Sequence, residues 1–186
     1  MKPDPGLHSE TATARSPLAG GSLDIELREL KPDQRQFERI NRIVAEAIAT
    51  WDLPERVKRM SLPLYRYHAS DLQHMRFVIA ESRELDDIFG LAAIEDADPA
   101  EGPEREALLL HGIYVDPRHH RQGTGGLLLT AAEQVAAADG ASGLLVKAQA
   151  DAVPFFEACG YRKLPILDSV RDYAHRYWKA LRTPAR

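Results

Sequence analysis

Apolar and polar residues alternate with period two over Leu23, Asp24, Ile25, Glu26, Leu27 and Arg28, which predicts a first strand that Lys31, Pro32 and Asp33 close. The period then becomes helical. Phe37, Ile40, Val44, Ala47, Ile48 and Trp51 share one face of a helix to about Thr50, with Asp33 and Gln36 at capping-box spacing. Asp52, Pro54 and Glu55 open a shorter helix to about Met60, and Leu62-Pro63 ends it. Tyr65, Arg66, Tyr67 and His68 fall on a loop, with Ser70-Asp71 capping one further turn. Residues 76–80 and 88–94 predict paired strands across a turn at Asp86-Asp87. A polar loop over 96–104 then leads to an apolar run over 108–115. Three strands in succession without a helix imply an antiparallel meander. The remaining pattern predicts a helix over 127–138 ended at Asp139-Gly140 and a strand from Gly143. A short helix over 151–158 follows, capped by Asp151 and closed by Gly160, and then a last strand over 173–179.

Length and composition narrow the class. The 186 residues suit one domain, over 23–186, preceded by a tail over 1–22 whose lack of apolar period predicts disorder. A formal net charge of -4 offers no overall field for nucleic acid or an anionic membrane surface. The single cysteine, Cys159, makes neither an internal disulfide nor a cysteine zinc site. With no membrane-length apolar run and no signal-peptide core, the expected location is cytoplasmic.

The candidate chemistry is concentrated in residues 111–126. Asp116-Pro117 stops the strand, and Gly123, Gly125 and Gly126 crowd the entry to the next helix. Glycines let backbone N–H groups approach a ligand, and the helix start adds free N–H groups and a positive dipole end, a combination suited to a phosphate or pyrophosphate. Leu127-Leu128 excludes a Walker loop, which needs Lys-Ser or Lys-Thr there, and Leu128 also excludes the third glycine of a dinucleotide fingerprint.

Val115-Asp116-Pro117 followed by His120-Arg121-Gln122-Gly123-Thr124-Gly125 resembles the acyl-CoA loop of the GNAT (Gcn5-related) N-acyltransferases, Arg/Gln-x-x-Gly-x-Gly/Ala, departing only at His120. A second block, Gln149-x-x-Ala152-x-x-Phe155-Phe156-Glu157-x-x-Gly160-Tyr161, is similar to that family's Asn-x-x-Ala-x-x-Phe-Tyr-Glu-x-x-Gly-Phe. The resemblance implies an α/β (α+β) GNAT fold, a mixed, mostly antiparallel central sheet of six to seven strands flanked by about four helices. It also implies acetyl-CoA as cosubstrate and an amine of a small molecule or protein as acceptor, with a homodimer left open. Cofactor contacts are expected from Ile113, Tyr114, Val115, Arg118, His120, Arg121, Gln122, Gly123, Thr124, Gly125, Gly126 and Phe156.

An ammonium must lose a proton before it can attack, so a base near the thioester is needed. Many GNATs place a glutamate on the central strand, but the aligned residue is Leu109. His111, two residues on and on the same strand face, corresponds to a histidine of the arylalkylamine branch, and an imidazole titrates at about 6.5. Catalytic base and hydrogen-bonded strand histidine both remain open. Phe156 stands where many GNATs have a tyrosine beside the CoA sulfur, leaving Tyr161, Tyr173 and Tyr177 as candidate acids. That absence also supports a non-catalytic acyl-CoA-binding or regulatory module, and a nucleotide-binding loop is a third reading. No metal is expected at His119-His120, because adjacent side chains diverge and no third ligand has suitable spacing. Cys159 reads as a helix-end core residue. Trp51, Asp52, Tyr65, Tyr67 and Asp71 lie where the fold would build an acceptor groove, and they suit ordinary core and caps as well.

Overall fold

Eight strands make one sheet in the computed structural model, which describes residues 13–15, 24–82, 84–168, 170 and 172–181. They are β1 (Thr13–Arg15), β2 (Asp24–Glu29), β3 (Met75–Ser82), β4 (Asp87–Asp96), β5 (Ala107–Val115), β6 (Gly143–Lys147), β7 (Arg162–Lys163) and β8 (Arg176–Ala180). The spatial order is β1-β2-β3-β4-β5-β6-β8-β7, and every neighbouring pair is antiparallel except β5 and β6. The α-helices among the described residues are α1 (Gln34–Ala49), α2 (Glu55–Ser61), α3 (Thr124–Ala138) and α4 (Val153–Ala158). This is the mixed, mostly antiparallel sheet with about four helices that the resemblance implies, with eight strands in place of six to seven.

Both faces of the central strands are covered. Val78, Ala80, Ala92 and Ile94 pack with Leu128, Leu129 and Ala132 of α3. The alternate residues Phe77, Ile79, Leu91 and Ala93 pack with Phe37, Ile40, Ile43 and Val44 of α1. Burial on both sides explains why β3 and β4 read as nearly continuous apolar runs.

Several expectations are corrected. Thr13–Arg15, inside the stretch expected to be disordered, pairs with β2; Leu23, the rest of 1–22 and 182–186 lie outside the described residues. Asp33 caps α1 by accepting from the Arg35 N–H, but Gln36 reaches back to the Lys31 N–H, so the box does not close on Asp33. Asp151 lies in a 3-10 turn, Ala150–Ala152, and α4 begins after it at Val153 without a side-chain cap. The turn Ala69–Gln73 is capped reciprocally by His68 and Asp71. Tyr173 precedes β8, on the loop from β7.

One irregularity organises the site. Ala93 of β4 faces Gly112 and Ile94 faces Leu110, so His111 is the extra residue of a β-bulge on β5. The bulge inverts the side-chain parity: Leu108 and Leu110 face α3 before it, and Ile113 and Val115 do so after it. β6 pairs with β5 only from Ala107 to Leu110. Beyond Leu110, β5 has β4 on one side and an open edge on the other, and the gap begins at His111.

Candidate active site

His111 is half-buried and lies on the α1 face, with its Nδ1 3.0 Å from the Tyr67 hydroxyl. The neighbouring Gly112 faces the same group. A Cβ there would lie 2.8 Å from Tyr67 Oη and 2.4 Å from the Tyr114 ring, so the close approach of Tyr67 requires glycine. Tyr67 is held through its backbone: Asn41 Nδ2 of α1 donates to the Tyr67 carbonyl at 2.8 Å, and the Tyr67 N–H donates to Asn41 Oδ1 at 2.8 Å. Its ring meets Phe77 edge-on at 5.0 Å. Tyr114 lies beside it at Gly112, and burial raises both phenols above their ordinary range. Both therefore remain neutral. This arrangement accommodates the tautomer a base requires: Nδ1–H donates to Tyr67 Oη, and Nε2 is free to accept a proton.

Beyond the open edge, the chain turns through a charged anchor. The fully buried Asp116 carboxylate accepts from the Arg118 N–H at 2.9 Å, Arg118 Nη2 at 2.6 Å and Arg39 Nη2 at 2.8 Å. These hydrogen bonds, Arg118 first, hold it well below the usual carboxylate range. Arg39 also pairs with Asp87 at 2.6 Å, tying α1, the start of β4 and the loop together. Arg118 is thus engaged by Asp116, whereas the sequence suggested a free phosphate partner. Arg121, exposed at φ 63°, has no hydrogen bond or ion pair among the described residues and is the loop cation left for a ligand.

His119 and His120 diverge. His119 stacks on Phe89 with centroids 4.0 Å apart, and His120 Nε2 donates to the Val115 carbonyl at 2.9 Å. Gly123 adopts φ 85°, and the Leu127 N–H bonds back to its carbonyl at 3.1 Å. The N–H groups of Thr124, Gly125 and Gly126 precede that first helical bond and point from the end of α3. Thr124 is buried and its hydroxyl has no partner among the described residues. Backbone donors, an orphaned hydroxyl, a dipole end and Arg121 together fit the pyrophosphate of a coenzyme.

Phe156 corrects another expectation: its ring is core, 3% exposed, and packs on Tyr161 rather than lining the loop. Phe155 does reach the loop, 3.6 Å from where a Gly125 Cβ would stand. Tyr161 and Tyr177 donate to Glu133 at 3.1 Å and Glu157 at 3.0 Å, in the α3 core, so neither hydroxyl serves the gap. Tyr173, 40% exposed on its loop, is the expected tyrosine left near the surface. Burial pushes the Cys159 thiol up, away from nucleophilic use. Leu109 lies on the α1 face as expected, in a small cluster with Leu145, Leu164 and Trp178. In the acceptor region Trp51 packs edge-on against Tyr65 at 5.5 Å, while Asp52 is exposed and Asp71 is a cap. Sequence reasoning missed Asn41 and Gly112, and read Asp116 only as the end of the strand. Only Gly112, next to a histidine within a strand, carried a local signal, since strand glycines often mark bulges.

Residues 42–171 match the model of a family described as Acetyltransferase (GNAT) domain. The Uncharacterized N-acetyltransferase YjcF of Bacillus subtilis (strain 168) is 46% identical over 55 residues, 30% of this chain. That match spans 39% of the relative's length. Among solved structures, the PaiA N-acetyltransferase of Thermoplasma acidophilum in complex with coenzyme A has a TM-score of 0.66 at 14% identity, over 84% of this chain and 99% of that one. A GNAT family acetyltransferase from Brucella melitensis in complex with acetyl-CoA has a TM-score of 0.59 at 15% identity, over 85% of this chain and 88% of that one. At these identities the likeness is one of fold.

Proposed function

The chain belongs to the GNAT acetyltransferase family, and from that premise we propose that it transfers the acetyl group of acetyl-CoA to a primary amine. One observation carries the reading: the β5 bulge presents His111 where the sheet opens beside the start of α3. In this reading the Gly123 loop, Thr124 and Arg121 hold the pyrophosphate. The pantetheine arm lies along the open edge of Ile113, Tyr114 and Val115, which brings the thioester to the gap.

His111 Nε2 takes a proton from the acceptor ammonium, directly or through one water, while Tyr67 keeps Nδ1–H in place. The neutral amine adds to the thioester carbonyl. The resulting tetrahedral species loses its surplus N–H proton to water, collapses to the amide and releases CoA thiolate. The thiolate of a thiol with pKa about 8.5 takes a proton from water near neutral pH, so Phe156 at the usual tyrosine position is compatible with turnover. The single, half-buried cysteine agrees with a cytoplasmic setting. A homodimer belongs to the same reading, and light scattering at the mass of one chain would remove it.

The test is release of free CoA from acetyl-CoA across a panel of amines, with the N-acetyl product identified by mass. Amine-dependent release is expected. Tight acetyl-CoA binding with no amine-dependent release would favour a non-catalytic acyl-CoA-binding module instead.

A further inference from the structure

Glu95 occupies a position that neither core explains. On the α1 face of β4, Ala93 belongs to the α1 cluster and Ala97 to the small cluster around Leu145. Glu95 lies between them on that face, half-buried, with Met75 and Leu109 as its cross-strand partners. His111 is two residues along β5 from Leu109 and on the same face, so Glu95 and His111 are diagonal neighbours across the bulge. The Glu95 charge is felt by Tyr67, whose hydroxyl bonds His111. Among the described residues the carboxylate has no hydrogen bond and no cation, and a half-buried carboxylate without either is unfavourable until a cation arrives.

Several charges on neighbouring elements are already matched. Asp71 is a cap, Glu101 pairs with Lys147 at 2.7 Å, and Arg176, 6% exposed, holds Asp172 and the Pro165 carbonyl. The strand neighbours of Glu95 are apolar. Met75 and Leu109, both half-buried, flank Glu95 on the two neighbouring strands.

We propose that Glu95 binds the acceptor's ammonium beside His111, and that the acceptor is a primary amine carried on an apolar body. This deepens the acetyltransferase reading and rests on it. A polyamine would need a second free carboxylate, and an amino acid would need a free cation for its own carboxylate. Glu95's cross-strand partners, Met75 and Leu109, supply neither beside it. Glu95 binds and His111 takes the proton, so the two residues should separate in kinetics.

The probes are n-hexylamine and spermidine with acetyl-CoA, on the full chain. n-Hexylamine should be the better substrate, and Glu95→Gln, which keeps size and removes charge, should raise its KM at least tenfold with kcat changed less than threefold. Glu95→Asp should retain more affinity than the amide. An unchanged KM in Glu95→Gln, or a preference for spermidine, would overturn the assignment. A fall in kcat with loss of an ionisation would overturn it too, by making Glu95 the base. Calorimetry of n-hexylammonium binding to the CoA complex gives a readout independent of turnover. Equal affinity in wild type and Glu95→Gln overturns the inference, whereas absent CoA binding overturns the acetyltransferase reading itself.

Discussion

Tyr67 Oη and His111 Nδ1, 44 residues apart in the chain, lie 3.0 Å from each other. The contact depends on the bulge that turns His111 toward α1, on Gly112 leaving room for the hydroxyl, and on Asn41 holding the Tyr67 backbone.

His111→Ala should lower acetyl transfer by about 10²–10⁴-fold and remove one ionisation from the pH–rate profile. The CoA loop does not use this side chain, so CoA affinity by calorimetry should persist. A variant with full rate and an unaltered profile would return His111 to a packing role.

Tyr67→Phe removes the partner of Nδ1 while leaving the ring in its packing. One neutral hydrogen bond is worth about 1 kcal/mol, so kcat should fall by about five- to tenfold, with CoA affinity and melting temperature nearly unchanged. Loss of melting temperature with no change in kcat would mean that the hydroxyl only supports the fold.

Gly125→Val should abolish CoA binding without unfolding the domain. A Cβ at Gly125 meets only ordinary contacts, 3.6 Å to Phe155 and 3.8 Å to Val115, but it lies among the N–H groups meant for pyrophosphate. Calorimetry showing wild-type CoA affinity would dismiss the loop assignment.

Phe156→Tyr should destabilise the protein by about 1–3 kcal/mol and leave the rate no higher, because it places a hydroxyl in a core where the ring is 3% exposed. A faster enzyme of wild-type stability would instead mean that the ring faces the CoA sulfur in solution.

Asp116 should give the fold an acid-sensitive component. Its folded pKa is depressed, chiefly by Arg118, so the native state binds fewer protons than the unfolded state between the two pKa values, and stability there rises with pH. The contribution is complete above the unfolded value of about 3.9 and is lost as pH falls through the folded value. Asp116→Asn should lower stability near pH 7 by about 2 kcal/mol and flatten the acid limb measured by denaturant titration.

Local chemistry determined much of this protein. Period two and period 3.6 mark the strands and helices, glycine spacing places a tight loop before α3, and His111 stands out as a titratable group on the central strand. These signals act within a few residues, where backbone sterics and side-chain periodicity decide the outcome. Tertiary structure decided the remainder. The slip of register that isolates His111 depends on β4 as well as β5, and Tyr67 reaches the histidine only because α1 holds its backbone. Likewise, α4 turns Phe156 into the core and leaves Phe155 at the loop, and Arg118 turns from the loop to Asp116 because that carboxylate is buried and needs a cation. Glu95 reads as one polar residue at the end of a strand until β3 and β5 enclose it. Each outcome is set by pairing between distant segments, whose geometry no window of the sequence contains.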